Sequence, residues 1–167
     1  MADVSVRLAR PHDAELIAKV QQSTWAQAYA SLLGELDVPL EQVAAVWLNA
    51  IESPPSSEHR VLVALDGSSV VGFAASEPAS ASEVELTALM VEPQWGRRGH
   101  GSRLLQANVE HWSAFEVATT WVFEADTVLS GFLESTGWAF DGLVRELDTG
   151  SQLVPQRHLH TGLRPRG

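Results

Sequence analysis

The 167-residue chain contains no cysteine, a single lysine (Lys19) and a single tyrosine (Tyr29). Without cysteine there is no disulfide, no thiolate metal ligand and no cysteine nucleophile. With Lys19 as the sole lysine, a Schiff-base lysine anywhere else is excluded. No apolar run approaches the length of a membrane span, and the segment Met1-Ala2-Asp3-Val4 lacks the basic-then-apolar pattern of a signal peptide. These absences lead us to expect a cytoplasmic protein without a membrane partner. Positive charge is also scarce: the formal net charge is -10. Nucleic-acid binding relies on neutralising phosphates with Lys and Arg, so none is expected. An acidic surface suits cationic small molecules or basic peptide ends; it also serves solubility alone.

What is present reads as one domain over residues 1–167. Val4–Leu8 alternates as a first strand, and Pro11 opens a helix carrying Leu16, Ile17, Val20 and Thr24 on one face. Gly34 and Pro39 interrupt, and a second helix is expected over residues 40–49. Residues 60–65 and 70–76 read as strands joined by the turn Asp66-Gly67-Ser68-Ser69. Residues 83–91 form a long strand. A glycine-rich loop follows, then a helix over residues 101–112 with Leu104, Leu105, Val109 and Trp112 as its apolar stripe. Residues 119–124 read as a strand, 127–136 as a helix stopped by Gly137, and 139–147 with 153–161 as a closing strand pair. The expected fold class is α/β (α+β): a single mixed, mostly antiparallel twisted sheet of about seven strands with helices on both faces.

The informative segment is Gln94-Trp95-Gly96-Arg97-Arg98-Gly99-His100-Gly101-Ser102, at a strand-to-helix junction. Backbone N–H groups opening a helix are unpaired and, with the helix dipole, form an anion site. Gly99 and Gly101 let the backbone approach a bulky diphosphate, and Arg97, Arg98 and Arg103 add positive charge. His100 either helps bind the anion or faces solvent. A P-loop does not fit, because the loop has no lysine, and the glycine order is the reverse of a dinucleotide fingerprint.

This stretch resembles motif A of the GNAT superfamily of N-acetyltransferases, through Val91, Pro93, Trp95, Gly99 and Gly101; Gly96 stands where that family usually has Gln or Arg. The order of strands and helices is also similar. The resemblance implies acetyl-CoA as co-substrate, with the backbone of Leu89, Met90 and Val91 pairing with the pantetheine arm. Arg97, Arg98, Gly99, His100, Gly101 and Ser102 would hold the pyrophosphate, and Asp126 would contact the pantetheine. It implies transfer of an acetyl group to a primary amine of a small molecule or peptide, in a possible homodimer. Where the family often has a tyrosine that protonates the departing thiolate, this chain has Leu133. That substitution opens a second expectation, a non-catalytic acyl-CoA-binding module or sensor.

For the catalytic residues, three candidates follow. Glu85, on the strand leading into the loop, is the first choice of base; it reads equally as a solvated strand residue. His158 is the second, because imidazole titrates near neutrality. His158 and His160 share a strand face, but no third ligand accompanies them, so no metal is expected. Tyr29 is the only phenol available to replace the missing acid. Trp25 and Tyr29 lie four apart on a helix: Trp25 is expected in the core and Tyr29 in the acceptor pocket. Trp47, Trp112, Trp121 and Trp138 are expected to pack.

Overall fold

The computed structural model describes residues 4–34, 38–96 and 98–163. Seven strands form one sheet in the order β1-β2-β3-β4-β5-β7-β6. They are β1 (Val4–Leu8), β2 (Arg60–Asp66), β3 (Ser69–Pro78), β4 (Glu83–Val91), β5 (Val117–Phe123), β6 (Ala139–Asp148) and β7 (Leu153–Gly162). The helices are α1 (Ala14–Ala28), α2 (Ala30–Leu33), α3 (Leu40–Glu52), α4 (His100–His111) and α5 (Thr127–Ser135). Only the β4–β5 contact is parallel. It is made across α4, as a strand-helix-strand crossover requires.

The sheet buries one face under each helix layer. On one side Leu62, Val71, Val84, Leu86, Val122 and Leu159 pack with Leu104 and Trp112. On the other, Ile17 and Val20 of α1 meet Val63 and Phe73, with Trp47 of α3 edge-on to Phe73. The entry to α1 is clamped by an ion pair. Arg7 on β1 donates two hydrogen bonds to Asp13, at 2.6 and 3.1 Å, and the Arg10 N–H donates a third at 2.7 Å. Asp13 is 1 % exposed, so its carboxylate depends on these donors. Burial pushes that carboxyl up, but the Arg7 and Arg10 hydrogen bonds outweigh it and hold it below the usual range.

Element boundaries match the expectations closely, with four differences in elements and burial. Pro11–Asp13 is a 3-10 turn before α1, and α2 is an additional short helix. Leu16 is 38 % exposed, because Ala14 and Ala18 with Ile17 form the buried stripe instead. In α4, Val109 is exposed while Asn108 is buried, its amide bonded to the Leu104 carbonyl at 2.7 Å.

What positions the site is a fork in the sheet. β4 and β5 pair only over residues 83–85 and 117–119. The Thr120 hydroxyl then donates to the Leu86 carbonyl at 2.7 Å. Beyond that link the strands part. A register shift against β3 leaves Thr87 as an extra residue in β4, and such bulges bend a strand. Residues 87–91 therefore present roughly 16 Å of strand edge with no partner on the β5 side.

Candidate functional site

The fork opens into a cavity of about 850 Å³. One wall is Leu89, Met90 and Val91, whose other edge pairs with Ala74, Phe73 and Gly72 of β3. Gly72 is needed there: a Cβ on it would meet the Met90 carbonyl oxygen at 2.8 Å. The floor is the loop and first turn of α4, with Gly99, His100, Gly101 and Ser102 lining the cavity. The third wall is α1–α2 and α5, through Thr24, Ala28, Tyr29, Asp126 and Phe132.

Gly99 caps α4 in the left-handed region, φ +84°, where only glycine sits without strain. The first amide of the loop bonded into the helix is that of Arg103, to the Gly99 carbonyl at 3.1 Å. Among the described residues, the N–H groups of Gly99, His100, Gly101 and Ser102 have no acceptor. A row of such donors at the positive end of a three-turn helix is an anion cradle.

The His100 ring does not face solvent. It is fully buried, edge-on to Trp95 at 6.3 Å, with both nitrogens lacking a hydrogen bond. Its Nε2 lies 3.6 Å from Asp66. Burial pushes its pKa below the ordinary value, and Arg103 and Arg98 add to that against the opposing pull of Asp66. Arg98 is exposed and stacks 5.0 Å over Trp95. Arg97 lies outside the described residues.

Tyr29 ends α1 at φ -120°, which turns it off the helical path. Trp25 consequently lines a small apolar recess between α1 and α3, while Tyr29 faces the main cavity. The Tyr29 hydroxyl donates to Asp126 Oδ2 at 2.5 Å, and its ring packs edge-on to Phe123. Asp126 Oδ1 accepts the Leu129 N–H at 3.0 Å, capping α5. Burial, then the Asp126 hydrogen bond and charge, push the Tyr29 pKa far above its ordinary value. Leu133 sits in the core, while Thr127, Val128, Leu129 and Phe132 of α5 line the cavity.

Glu85 lies at the paired end of β4, half-buried beside Thr119 of β5 and opposite Glu77 of β3, outside the cavity lining. His158 lies on β7, opposite Trp121 of β5. Trp121 is half-buried rather than a core residue, stacked with His158 and under Arg145. Sequence reading missed Asp141, which bonds His158. Asp141-Gly142 inside a strand pattern is the signal that marks such a site, because an isolated glycine there suggests a bulge. Among the described residues no three His, Asp or Glu side chains converge as a metal site, and no helix is long and apolar enough to cross a membrane.

Comparison with known proteins agrees with this layout. Residues 57–139, spanning β2 to the start of β6, match the family model of the acetyltransferase (GNAT) domain. No curated protein matches the chain by sequence. The PaiA N-acetyltransferase of Thermoplasma acidophilum, solved in complex with coenzyme A, superposes with a TM-score of 0.78. It shares 16 % identity over 96 % of this chain and 99 % of its own. An N-acetyltransferase from Staphylococcus aureus Mu50 gives 0.77 at 14 % identity, covering 98 % of this chain and 100 % of that one. A putative acetyltransferase from Salmonella typhimurium, solved with its cofactor acetyl-CoA, gives 0.75 at 16 % identity over 98 % and 96 %. The match to the GNAT acetyltransferase domain thus runs through the fork and the loop, and the fold is shared end to end with these solved acetyltransferases.

Proposed function

We propose that this chain is an acetyl-CoA-dependent N-acetyltransferase that moves an acetyl group from the thioester to a primary amine by direct attack in a ternary complex. One observation carries the reading: the unpaired amides of Gly99, His100, Gly101 and Ser102 open onto the same cavity as the unpaired β4 edge at Leu89, Met90 and Val91. A diphosphate fits the first and an extended amide-bearing arm fits the second, and coenzyme A carries both. Two structural relatives were solved with coenzyme A or acetyl-CoA, which supports the same reading.

When bound, acetyl-CoA supplies an activated acyl group on a good leaving group. The chain's task is to hold it, orient the amine and remove a proton. The residues proposed to hold it are Leu89, Met90, Val91, Gly99, His100, Gly101 and Ser102, with Arg97 and Arg98 adding charge and Asp126 at the arm. A thiol has a reference pKa of about 8.5, so the thiolate leaves without a dedicated acid, consistent with Leu133 in the core. Tyr29 has already given its hydrogen to Asp126, so a role as donor to sulfur requires that contact to break.

Glu85 and His158 share one sheet face, the one that α1 and α3 leave uncovered beyond the fork. Both are kept as bases for the amine. His158 lies beside Trp121, the first β5 residue past the last link to β4, whereas Glu85 lies on the paired side of it. A thermal-shift titration with coenzyme A and a thiol-release assay over an amine panel test the proposal. Saturable stabilisation of about 2.7 kcal/mol at a hundred times the dissociation constant is the expected binding result. No stabilisation and no thiol release would overturn it.

A further inference from the structure

Beyond the fork, β5, β7 and β6 assemble a second cluster from residues far apart in sequence. Thr120 and Val122 of β5 are buried, Val122 in the core under α4 and α5, so Trp121 faces the opposite way. It shares that face with Phe123, which touches Tyr29 in the cavity wall. Register brings His158 opposite Trp121, with the two rings 4.6 Å apart. Arg145 of β6 lies 4.2 Å over the same indole, and its Nε donates to Gln156 Oε1 at 2.7 Å.

Asp141 reaches this cluster by a distortion of β6. Pairing with β7 runs through Ala139 and Phe140, then resumes only at Val144. Residues 141–143 bulge out, with Gly142 at φ +93°. The bulge is pinned by the Leu143 N–H donating to Asp141 Oδ1 at 3.0 Å. It leaves Asp141 Oδ2 aimed at His158 Nδ1, 2.5 Å away. A slight desolvation raises the Asp141 carboxyl, but the Leu143 N–H and His158 outweigh it and hold the carboxyl below the usual range. A strand bulge that re-aims one carboxylate onto one imidazole is a positioning device. With Nδ1 held, a neutral imidazole presents Nε2 as its acceptor, and among the described residues that atom has no hydrogen-bond partner.

Arg145 adds the selectivity. Among the described residues its side chain bonds only the Gln156 amide oxygen, and no carboxylate pairs with it. Its stacking on Trp121 fixes the plane of the guanidinium. A fixed, unpaired guanidinium matches a carboxylate in two-point geometry and repels a simple ammonium.

The geometry points to Trp121, His158, Asp141 and Arg145 as the acceptor subsite, for a primary amine that also carries a carboxylate: an amino acid or an acidic amine. This rests on the acetyl-transfer reading. His158 Nε2 takes one proton from the ammonium and passes it to solvent. The freed nitrogen attacks the thioester carbonyl carbon, and the C–N bond forms as the C–S bond breaks with its electron pair going to sulfur. The second nitrogen proton ends on the thiolate. Asp141 is a positioning residue that acts through His158. The other charged groups on this face are Glu85 of β4, Glu77 of β3 opposite it and His160 of β7, toward the paired end of the sheet.

The test is a thiol-release assay on a panel of α-amino acids, each paired with the amine that lacks its carboxylate, together with a coenzyme A thermal shift. For at least one pair we expect kcat/KM about tenfold or more higher with the carboxylate present. Arg145→Gln should remove that preference by raising KM for the carboxylate member. His158→Gln should abolish the acidic limb of the pH profile of kcat. Asp141→Asn should lower kcat about tenfold, with KM for acetyl-CoA much less affected. Equal turnover within every pair, or an Arg145→Gln effect equal on both members, would overturn the subsite. So would an acidic limb that survives His158→Gln. No turnover with any pair, while coenzyme A still stabilises the protein, overturns the subsite and leaves the cofactor reading standing. No stabilisation by coenzyme A overturns both.

Discussion

The two arms of the fork solve their binding problems with different materials. On the β4–α4 arm the groups that face the cavity are main-chain amides and a strand edge, set by one contiguous stretch of sequence from Leu89 to Ser102. On the β5–β7–β6 arm, outside the cavity lining, the clustered groups are side chains, with Trp121, Asp141, Arg145 and His158 brought together only by strand register and a bulge. A main-chain site needs glycine and helix geometry and tolerates side-chain change. A side-chain site is lost when one residue or one register step changes.

The sharpest way to break this contrast is Gly99→Asp. Among the described residues no atom lies within 4 Å of the new Cβ, so the fold is expected to persist, at a backbone cost of about 1–2 kcal/mol from the left-handed geometry. The carboxylate would stand in the anion cradle. Coenzyme A affinity should fall by about a thousandfold, near 4 kcal/mol, measured by calorimetry. Retained affinity would mean the phosphates lie elsewhere.

Arg7→Met is the control on the opposite flank of the sheet. It strands the buried Asp13 carboxylate and should cost about 3 kcal/mol of stability in urea denaturation. Coenzyme A affinity should be untouched. A change in affinity would show that the β1–α1 clamp and the cradle are coupled, and that the arms are less separable than drawn here.

Gly72→Ala should cost about 2 kcal/mol, because its Cβ must push back the Met90 carbonyl. This distorts the β4 edge without touching the cradle, so coenzyme A binding should weaken while pyrophosphate binding does not. Equal loss of both would place the defect in the whole arm.

The smallest effect is that of acid. His100 has a native pKa below its unfolded value of about 6.5, because its burial favours the neutral ring. Between the two values the unfolded chain binds the extra proton. The contribution to stability is therefore full above about pH 6.5 and is lost as pH falls through the native value. Urea midpoints should drop from pH 7 to pH 5, and His100→Gln should flatten that slope. An unchanged slope would mean that His100 titrates as if exposed.

The same contrast explains what was legible in the sequence. Val91-x-Pro93 and the glycines after it place the loop, because local chain geometry alone makes the cradle. The succession of strands and helices along the chain follows from alternation and turn residues, and β4 reads to its observed ends; the order of strands within the sheet does not follow from either. Leu16 and Val109 were misjudged because an apolar residue at a helix boundary stripe is buried only if a partner faces it. Trp121 was read as packing, since nothing local distinguishes an indole under a leucine from one under an imidazole. Asp141 was not singled out, because its meaning depends on His158, seventeen residues away and across a strand pair.

If the free amides opening α4 hold the ligand's phosphates, they carry much of its binding energy. Calorimetric titration of the same protein with coenzyme A and with pantetheine, which has the arm but not the phosphates, tests it most directly. The account predicts that coenzyme A binds about a hundredfold or more tightly. Equal affinities for the two would contradict it.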